Sequence, residues 1–270
     1  MSLLHLFFFK ILKSFHKRMI LYYIILIICL CVILIYVFPK DKTPFSSETL
    51  QSRLNKVNFT TLNELHQSIL GVDMSGELPE QELIFTHLDR DSKGVLEFGG
   101  NIGRSSLVIN KLMKHPEHHV VFESDPVIAQ QLESNRDTNH CSFQIIPACL
   151  SDKPMVQNGW NTAGDTTQGN HWKSVPNLPY SVFKDQYSWI EFDTLVVDCE
   201  GCLASILKDH GDDLLSTIQT IIIEHDDRFN PSVPQNYIRP YLLDHGFESV
   251  QRRDLNSDHI NFYEILRKRS

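Results

Sequence analysis

Residues 94–103 read Gly-Val-Leu-Glu-Phe-Gly-Gly-Asn-Ile-Gly (GVLEFGGNIG), an apolar run that stops in a cluster of glycines. Gly94 to Phe98 has the length of a short buried strand. Gly99, Gly100 and Gly103 permit a tight turn and close backbone approach, and a helix-like stretch from Arg104 to His115 follows at once. The start of that helix offers unpartnered N–H groups to an anion. Strand, glycine turn and helix in this order form the opening unit of a parallel α/β sheet.

The pattern continues downstream. Apolar runs recur at His119–Glu123, Phe143–Ala148, Phe192–Cys199 (FDTLVVDC) and Ile218–Glu224 (IQTIIIE), with helix-like segments at 127–136, 203–209 and 234–245. Near-continuous Val/Ile/Leu strands alternating with helices indicate a parallel sheet covered on both faces. The last two runs, Gly246–Val250 and Ile260–Leu266, read as a closing antiparallel pair. The expected fold is a doubly wound, mostly parallel α/β sheet with an antiparallel C-terminal edge, over residues 94–266.

Upstream, Met19 to Phe38 (MILYYIILIICLCVILIYVF) holds no charged residue. At about 1.5 Å rise per residue it spans roughly 30 Å, the thickness of a bilayer core. It has no polar stripe, as a soluble helix would, and no small-residue cleavage site follows it. Residues 19–38 are therefore expected to form an N-terminal transmembrane helix. Lys10, Lys13, Lys17 and Arg18 precede it and Lys40 and Lys42 follow it, so residues 1–18 are expected in the cytoplasm and the domain on the exported side. In a eukaryote that side is the endoplasmic reticulum or Golgi lumen, where Asn58-Phe59-Thr60 is a glycan acceptor triplet. Residues 39–93 read as a polar stalk followed by helical approach segments.

Four of the 25 basic residues and none of the 33 acidic ones lie in residues 1–38, which leaves 21 against 33, a net −12, for the rest. An acidic domain without a Lys/Arg run has no electrostatic footprint for nucleic acid. Cys29 and Cys31 fall in the span as small apolar fillers. Cys199-Glu200-Gly201-Cys202 has the spacing of a Cys-x-x-Cys motif but no second pair of Cys or His, which disfavours zinc. A redox dithiol, packing, or a disulfide on the exported side remains.

In open α/β sheets ligands bind where strands end, near the point at which strand order reverses. The first strand ends with Glu97 beside the turn Gly99-Gly100-Asn101-Ile102-Gly103. This spacing differs from the Gly-x-Gly-x-x-Gly of dinucleotide enzymes and suits a ligand with both a carboxylate and an ammonium, such as the methionine part of S-adenosylmethionine. The second strand ends at Glu123-Ser124-Asp125-Pro126. Glu123 is the candidate for a ribose diol with Asp125 as substitute, although Pro126 also suits Asp125 to cap a helix. Asp152, after the third strand, is a candidate for an adenine amino group. Asp198 and Glu200 follow the fourth strand, and two carboxylates there are costly unless something uses them. His225, at the end of the fifth, is a candidate general base. The long connection 153–192 carries Trp160, Trp172 and Trp189 with His171 and Asp165, either as a platform for an acceptor or as anchors for the loop.

These segments, VLEFGGNIGRSS, FESDP, ACLSD and above all FDTLVVDCEG with IIIEH, resemble the FkbM family of S-adenosylmethionine-dependent methyltransferases over Gly94 to Glu264. The resemblance implies a Rossmann-like class I methyltransferase fold and S-adenosyl-L-methionine as cofactor. It assigns Glu97, Gly99 and Gly103 to the cofactor turn, Glu123 to the ribose and Asp152 to the adenine end; Gly100 and Asn101, within the same turn, are further cofactor-binding candidates. Asp198 and Glu200 fall at the family's signature acids, and the acceptor implied is a hydroxyl on a glycan or small molecule. In the family's pattern Pro directly follows the acid of strand two, whereas here Ser124 and Asp125 intervene. Two other readings stand beside this one. A binding or adaptor protein would keep the fold without catalysis, and the glycine spacing speaks against a nicotinamide-dependent oxidoreductase.

Overall fold

The computed structural model describes residues 59–164, 169–226, 230–255, 257 and 261–269. The expected span 19–38 and the segment before it, with Asn58 and Asp165, lie outside them. Among the described residues no helix is long and apolar enough to cross a membrane.

Two helices precede the sheet, α1 (Leu62–Gln67) and α2 (Leu78–His87). α1 starts in a capping box, with Thr61 accepting from Glu64 N–H and the Glu64 side chain reaching back to Thr61. The segment expected as an approach to the domain is part of it. Leu65, Leu83 and Ile84 are buried in one core with Val95, Val121 and Val196.

The sheet then builds in the expected alternation: β1 (Val95–Phe98), α3 (Arg104–Leu112), β2 (His119–Phe122), α4 (Pro126–Thr138) and β3 (Gln144–Ile146). The connection 153–192 is more structured than its turn-rich sequence suggests. β4 (Cys149–Leu150) pairs with β8 (Asn177–Leu178), and β5 (Met155–Asn158) is flanked by β6 (Asn161–Ala163) and β7 (Lys173–Val175) in a small antiparallel sheet. These strands are two to four residues long, too short for alternation to register. Then come α5 (Tyr180–Gln186), β9 (Thr194–Val197), α6 (Cys202–Leu214), β10 (Thr220–His225), α7 (Arg239–Asp244), β11 (Phe247–Asp254) and β12 (Phe262–Lys268).

The seven-stranded sheet has the order β11-β12-β10-β9-β1-β2-β3. Strands β3, β2, β1, β9 and β10 are parallel, and β12 runs antiparallel to both β10 and β11. β12, the last strand in the chain, is thus inserted between two earlier ones. Successive residues alternate between two apolar cores. Leu96, Phe98, Leu195, Val197, Ile221 and Ile223 enter one, and Val95, Val196, Ile222 and Ile265 enter the other. Burial on both faces explains why these strands read as unbroken apolar runs.

The strand order reverses between β1 and β9, which places the switch point at the ends of Phe98 and Val197, paired in register.

Candidate active site

A cavity of about 590 Å³ opens at this switch point, within the usual range for a small-molecule site. Gly99, Asn101, Glu123, Asp198 and Glu200 line it, as the sequence suggested. Glu77, Glu224, Tyr263 and Trp160 line it as well.

The glycine turn is built by close contact. Gly99 has φ 93°, and both Gly99 N–H and Gly100 N–H donate to the Phe122 carbonyl at 3.0 Å. A Cβ on Gly100 would lie 2.4 Å from Val121 Cγ1. Gly103, at φ 97°, is the cap from which α3 starts. Gly100 and Gly103 shape the turn from behind and are not among the residues lining the cavity. Asn101 takes φ 44°, and its N–H donates to Glu123 Oε2 at 2.8 Å. Glu123 Oε1 accepts from Asp125 N–H at 2.8 Å, and burial raises its pKa from the ordinary carboxylate value. Asp125 caps α4 by accepting from Val127 N–H at 2.8 Å, which leaves Glu123 as the acid facing the cavity.

Five lining side chains are acidic, Glu77, Glu123, Asp198, Glu200 and Glu224, while Arg104 is the lone basic one among the described residues. Arg104 pairs with Glu77 at 3.3 Å. Glu77 at φ 56° and Glu200 at φ 47° occupy left-handed backbone, as does Asn101. Left-handed residues other than glycine are held there by their surroundings and cluster at functional sites.

The register puts three of the polar groups in a row. Val197 pairs with Ile223, so Asp198 and Glu224 follow side by side, and Glu224 pairs with Tyr263 across the antiparallel strand. Asp198 and Glu224 share a hydrogen bond, and Tyr263 donates to Glu224. Burial, then the neighbouring Glu224 charge, holds Asp198 well above the ordinary carboxylate range. Burial likewise pushes Glu224 up to about 7, against the lowering effect of the Asp198 hydrogen bond. Once Glu224 ionises, the pair holds one proton between them, with Asp198 as donor. Glu80, buried on α2, is raised by burial and by the Asp198 charge, and it accepts from Ser105 Oγ at 2.5 Å.

Cys199 and Cys202 form a disulfide between the end of β9 and the start of α6, and both line the cavity. Cys149 also lines it, but burial pushes its thiol up to about 12, too high for a thiolate nucleophile. Among the described residues no group of three or more His, Cys, Asp or Glu could hold a metal ion.

Three candidates fall elsewhere. Glu97 points to the α3 face, where it accepts from Ser106 Oγ at 2.9 Å and meets His119 Nε2 at 2.7 Å, buried and outside the cavity. The alternation that brings Phe98 to the cavity turns Glu97 away. Asp152 accepts from Tyr180 N–H at 2.9 Å at the start of α5 and faces His210 Nε2 at 2.7 Å. It holds a helix in place and is not among the lining residues. His225 is buried and stacked on Phe262 with ring centroids 4.3 Å apart, its Nε2 3.1 Å from Glu264. Burial lowers its pKa, and it too is absent from the lining. Glu224, one residue earlier and on the opposite face, occupies the place expected of it. Among the tryptophans, Trp160 lines this cavity, whereas Trp189 packs edge-on against His118.

No protein-family model matches the chain, and no curated protein matches it in sequence. Several solved structures are similar to it. A putative O-methyltransferase from Klebsiella pneumoniae is 12% identical, with 88% of this chain and 94% of that one covered and a TM-score of 0.47. The O-methyltransferase from Bacillus cereus in complex with SAH is 12% identical over 81% of this chain and 96% of its own, with a TM-score of 0.45. A protein of the NADB-Rossmann superfamily from Streptococcus agalactiae is 13% identical over 74% and 70%, with a TM-score of 0.46. Likenesses of this size transfer no side-chain role.

Proposed function

We propose that this chain is an S-adenosylmethionine-dependent methyltransferase that O-methylates a hydroxyl on a glycan or related small acceptor. The observation that carries the reading is the charge of the cavity at the switch point: among the described residues, five acids and one base, itself paired with Glu77. Such a cavity favours a ligand with positive charge, and S-adenosylmethionine carries a sulfonium and an ammonium. Its residues fit that ligand in two further ways. Glu123 stands at the end of β2, where a carboxylate grips a ribose diol. The first turn of α3 offers N–H groups to a carboxylate.

S-adenosylmethionine supplies an electrophilic methyl group when bound. The chain's part is alignment and proton handling. Glu224 is the base, since a carboxylate poised near 7 is half ionised at neutral pH and accepts a proton from an acceptor hydroxyl. Asp198, which keeps its proton, orients that carboxylate. Trp160 offers an aromatic face on which a sugar ring can stack. The Asp198-Cys199-Glu200-Gly201 block, where the FkbM resemblance is most specific, supplies this part of the site.

Anchoring by residues 19–38, with the domain on the exported side, belongs to the same proposal. The Cys199–Cys202 disulfide supports it, because such bonds persist in oxidising compartments and are rare in the cytosol.

The test is calorimetric titration of the full-length chain in detergent with S-adenosylmethionine, followed by transfer of labelled methyl to a panel of glycans. Binding and transfer are the expected results. Absence of heat overturns the cofactor assignment, and binding without transfer to any hydroxyl acceptor favours a non-catalytic binding protein.

A further inference from the structure

We propose that Tyr263 is the positioning residue of this site, holding the Glu224 carboxylate in the geometry and charge state in which it takes a proton from the acceptor. The inference rests on the methyltransferase reading and goes beyond it, because it assigns a role to a strand outside every glycine or acid motif.

The geometry begins with the sheet. Asp198, Glu224 and Tyr263 lie on three adjacent strands at one level, the last two as direct partners in the antiparallel β10–β12 ladder. Directly opposed residues bring their Cβ atoms to about 4.5–5.5 Å, close enough for a phenol to reach a carboxylate. All three side chains line the cavity. Tyr263 is buried, and its hydroxyl donates to Glu224. Burial, and then the neighbouring acids, hold the phenol in its protonated, donating form.

Glu224 therefore accepts from two sides, from Asp198 and from Tyr263. The other charged groups around it are Glu80 on α2 and Asp226 beyond β10, while Glu77 and Glu200 act on its partner Asp198. Among the described residues all four are acids; Glu80 and Asp226 disfavour the ionised Glu224 directly, while Glu77 and Glu200 raise Asp198. The Tyr263 hydroxyl is a neutral donor that opposes them. Without it, Glu224 keeps its proton to higher pH and loses one of the two contacts that aim its lone pairs. During turnover the acceptor's hydroxyl proton passes to Glu224, and bulk water takes it up afterwards.

The experiment needs no acceptor. Full-length protein labelled with carbon-13 at glutamate carboxyls is titrated by NMR, and the Glu224 resonance is identified as the one missing in Glu224→Gln. Tyr263→Phe is expected to raise its midpoint by about half a unit to one unit, the equivalent of one lost hydrogen bond. Fluorotyrosine placed at position 263, nearly isosteric and a stronger donor, is expected to lower it, and this keeps the test open if Tyr263→Phe does not fold. A midpoint that neither substitution moves overturns the inference. With an acceptor in hand, the acid limb of kcat/KM in Tyr263→Phe is expected to shift upward by the same amount while binding of S-adenosylhomocysteine stays within about twofold. A wild-type protein that neither binds S-adenosylhomocysteine nor transfers methyl sinks the methyltransferase reading. A wild type that does both, with an unmoved limb in the variant, sinks only the role of Tyr263.

Discussion

Gly99 and Asp198 meet backbone to backbone: a Cβ added to Gly99 would lie 1.7 Å from the Asp198 carbonyl oxygen. The glycine turn and the acid of the proposed catalytic row are thus packed as one piece. Gly99→Ala must both leave its φ of 93° and push β9 away from β1. We expect it to destabilise the domain by roughly 2–5 kcal/mol, from backbone strain and overpacking together. Denaturant midpoints check this, and a variant as stable as wild type contradicts the packing.

Glu123 is expected to grip the ribose. Glu123→Gln keeps the shape and removes the charge, so a charge-assisted hydrogen bond worth about 1.5–3 kcal/mol is weakened. S-adenosylhomocysteine should bind roughly 10–100-fold more weakly by calorimetry. Unchanged affinity would place the ribose elsewhere.

The raised pKa of Glu224 makes a prediction about stability. Its folded value of about 7 lies above its unfolded value of 4.5. The native state therefore binds the extra proton more tightly, and the contribution is fully present below pH 4.5 and lost as pH rises through about 7. The loss is on the order of 3 kcal/mol. Glu224→Gln, which cannot ionise, should be more stable than wild type at pH 8 and no more stable at pH 4.5. Thermal melts of both proteins across that range are the measurement; parallel curves would disprove it.

The Cys199–Cys202 disulfide closes a very short loop, for which chain entropy gives about 2 kcal/mol of stabilisation. Reduction by a dithiol should lower the denaturant midpoint accordingly and weaken cofactor binding, because the bond ties Asp198 and Glu200 to α6. Mass spectrometry of protein alkylated with and without reductant reports the bond directly. Two extra alkylations after reduction are expected at these positions.

His225→Gln separates the two faces of β10 at its C-terminal end. Its ring sits in a buried pair with Glu264, away from the cavity. The substitution should cost stability, about 1–3 kcal/mol, while the fraction that remains folded keeps wild-type affinity for S-adenosylhomocysteine by calorimetry. A selective loss of affinity without loss of stability would restore His225 to the site.

The strands and the switch point were legible in the sequence because burial on both faces writes itself as unbroken apolar runs. The same feature hides which face each residue takes. Glu97 and Phe98, or Glu224 and His225, are adjacent in sequence and opposite in space, and an unbroken run carries no alternation to tell them apart. Glu97 and His225 were misplaced for that reason. One signal was available: LVVD and IIIE both put an acid straight after the apolar run, and parallel strands in register set such acids side by side. Tyr263 left no comparable trace, since its place depends on an antiparallel partner distant in sequence. The Cys199–Cys202 bond stayed open for another reason, because the spacing permits both a bridge and two thiols.

The insertion of β12 between β10 and β11 also governs when the site comes into being. Synthesis reaches the glycine turn early and the acids of β9 and β10 later, yet the Tyr263 hydroxyl arrives only with the strand ending at Lys268. A ribosome-bound chain stopped short of that strand would carry the cofactor's docking turn without a tuned base. On the proposed function, methyl transfer is therefore expected only from a chain translated through residue 268.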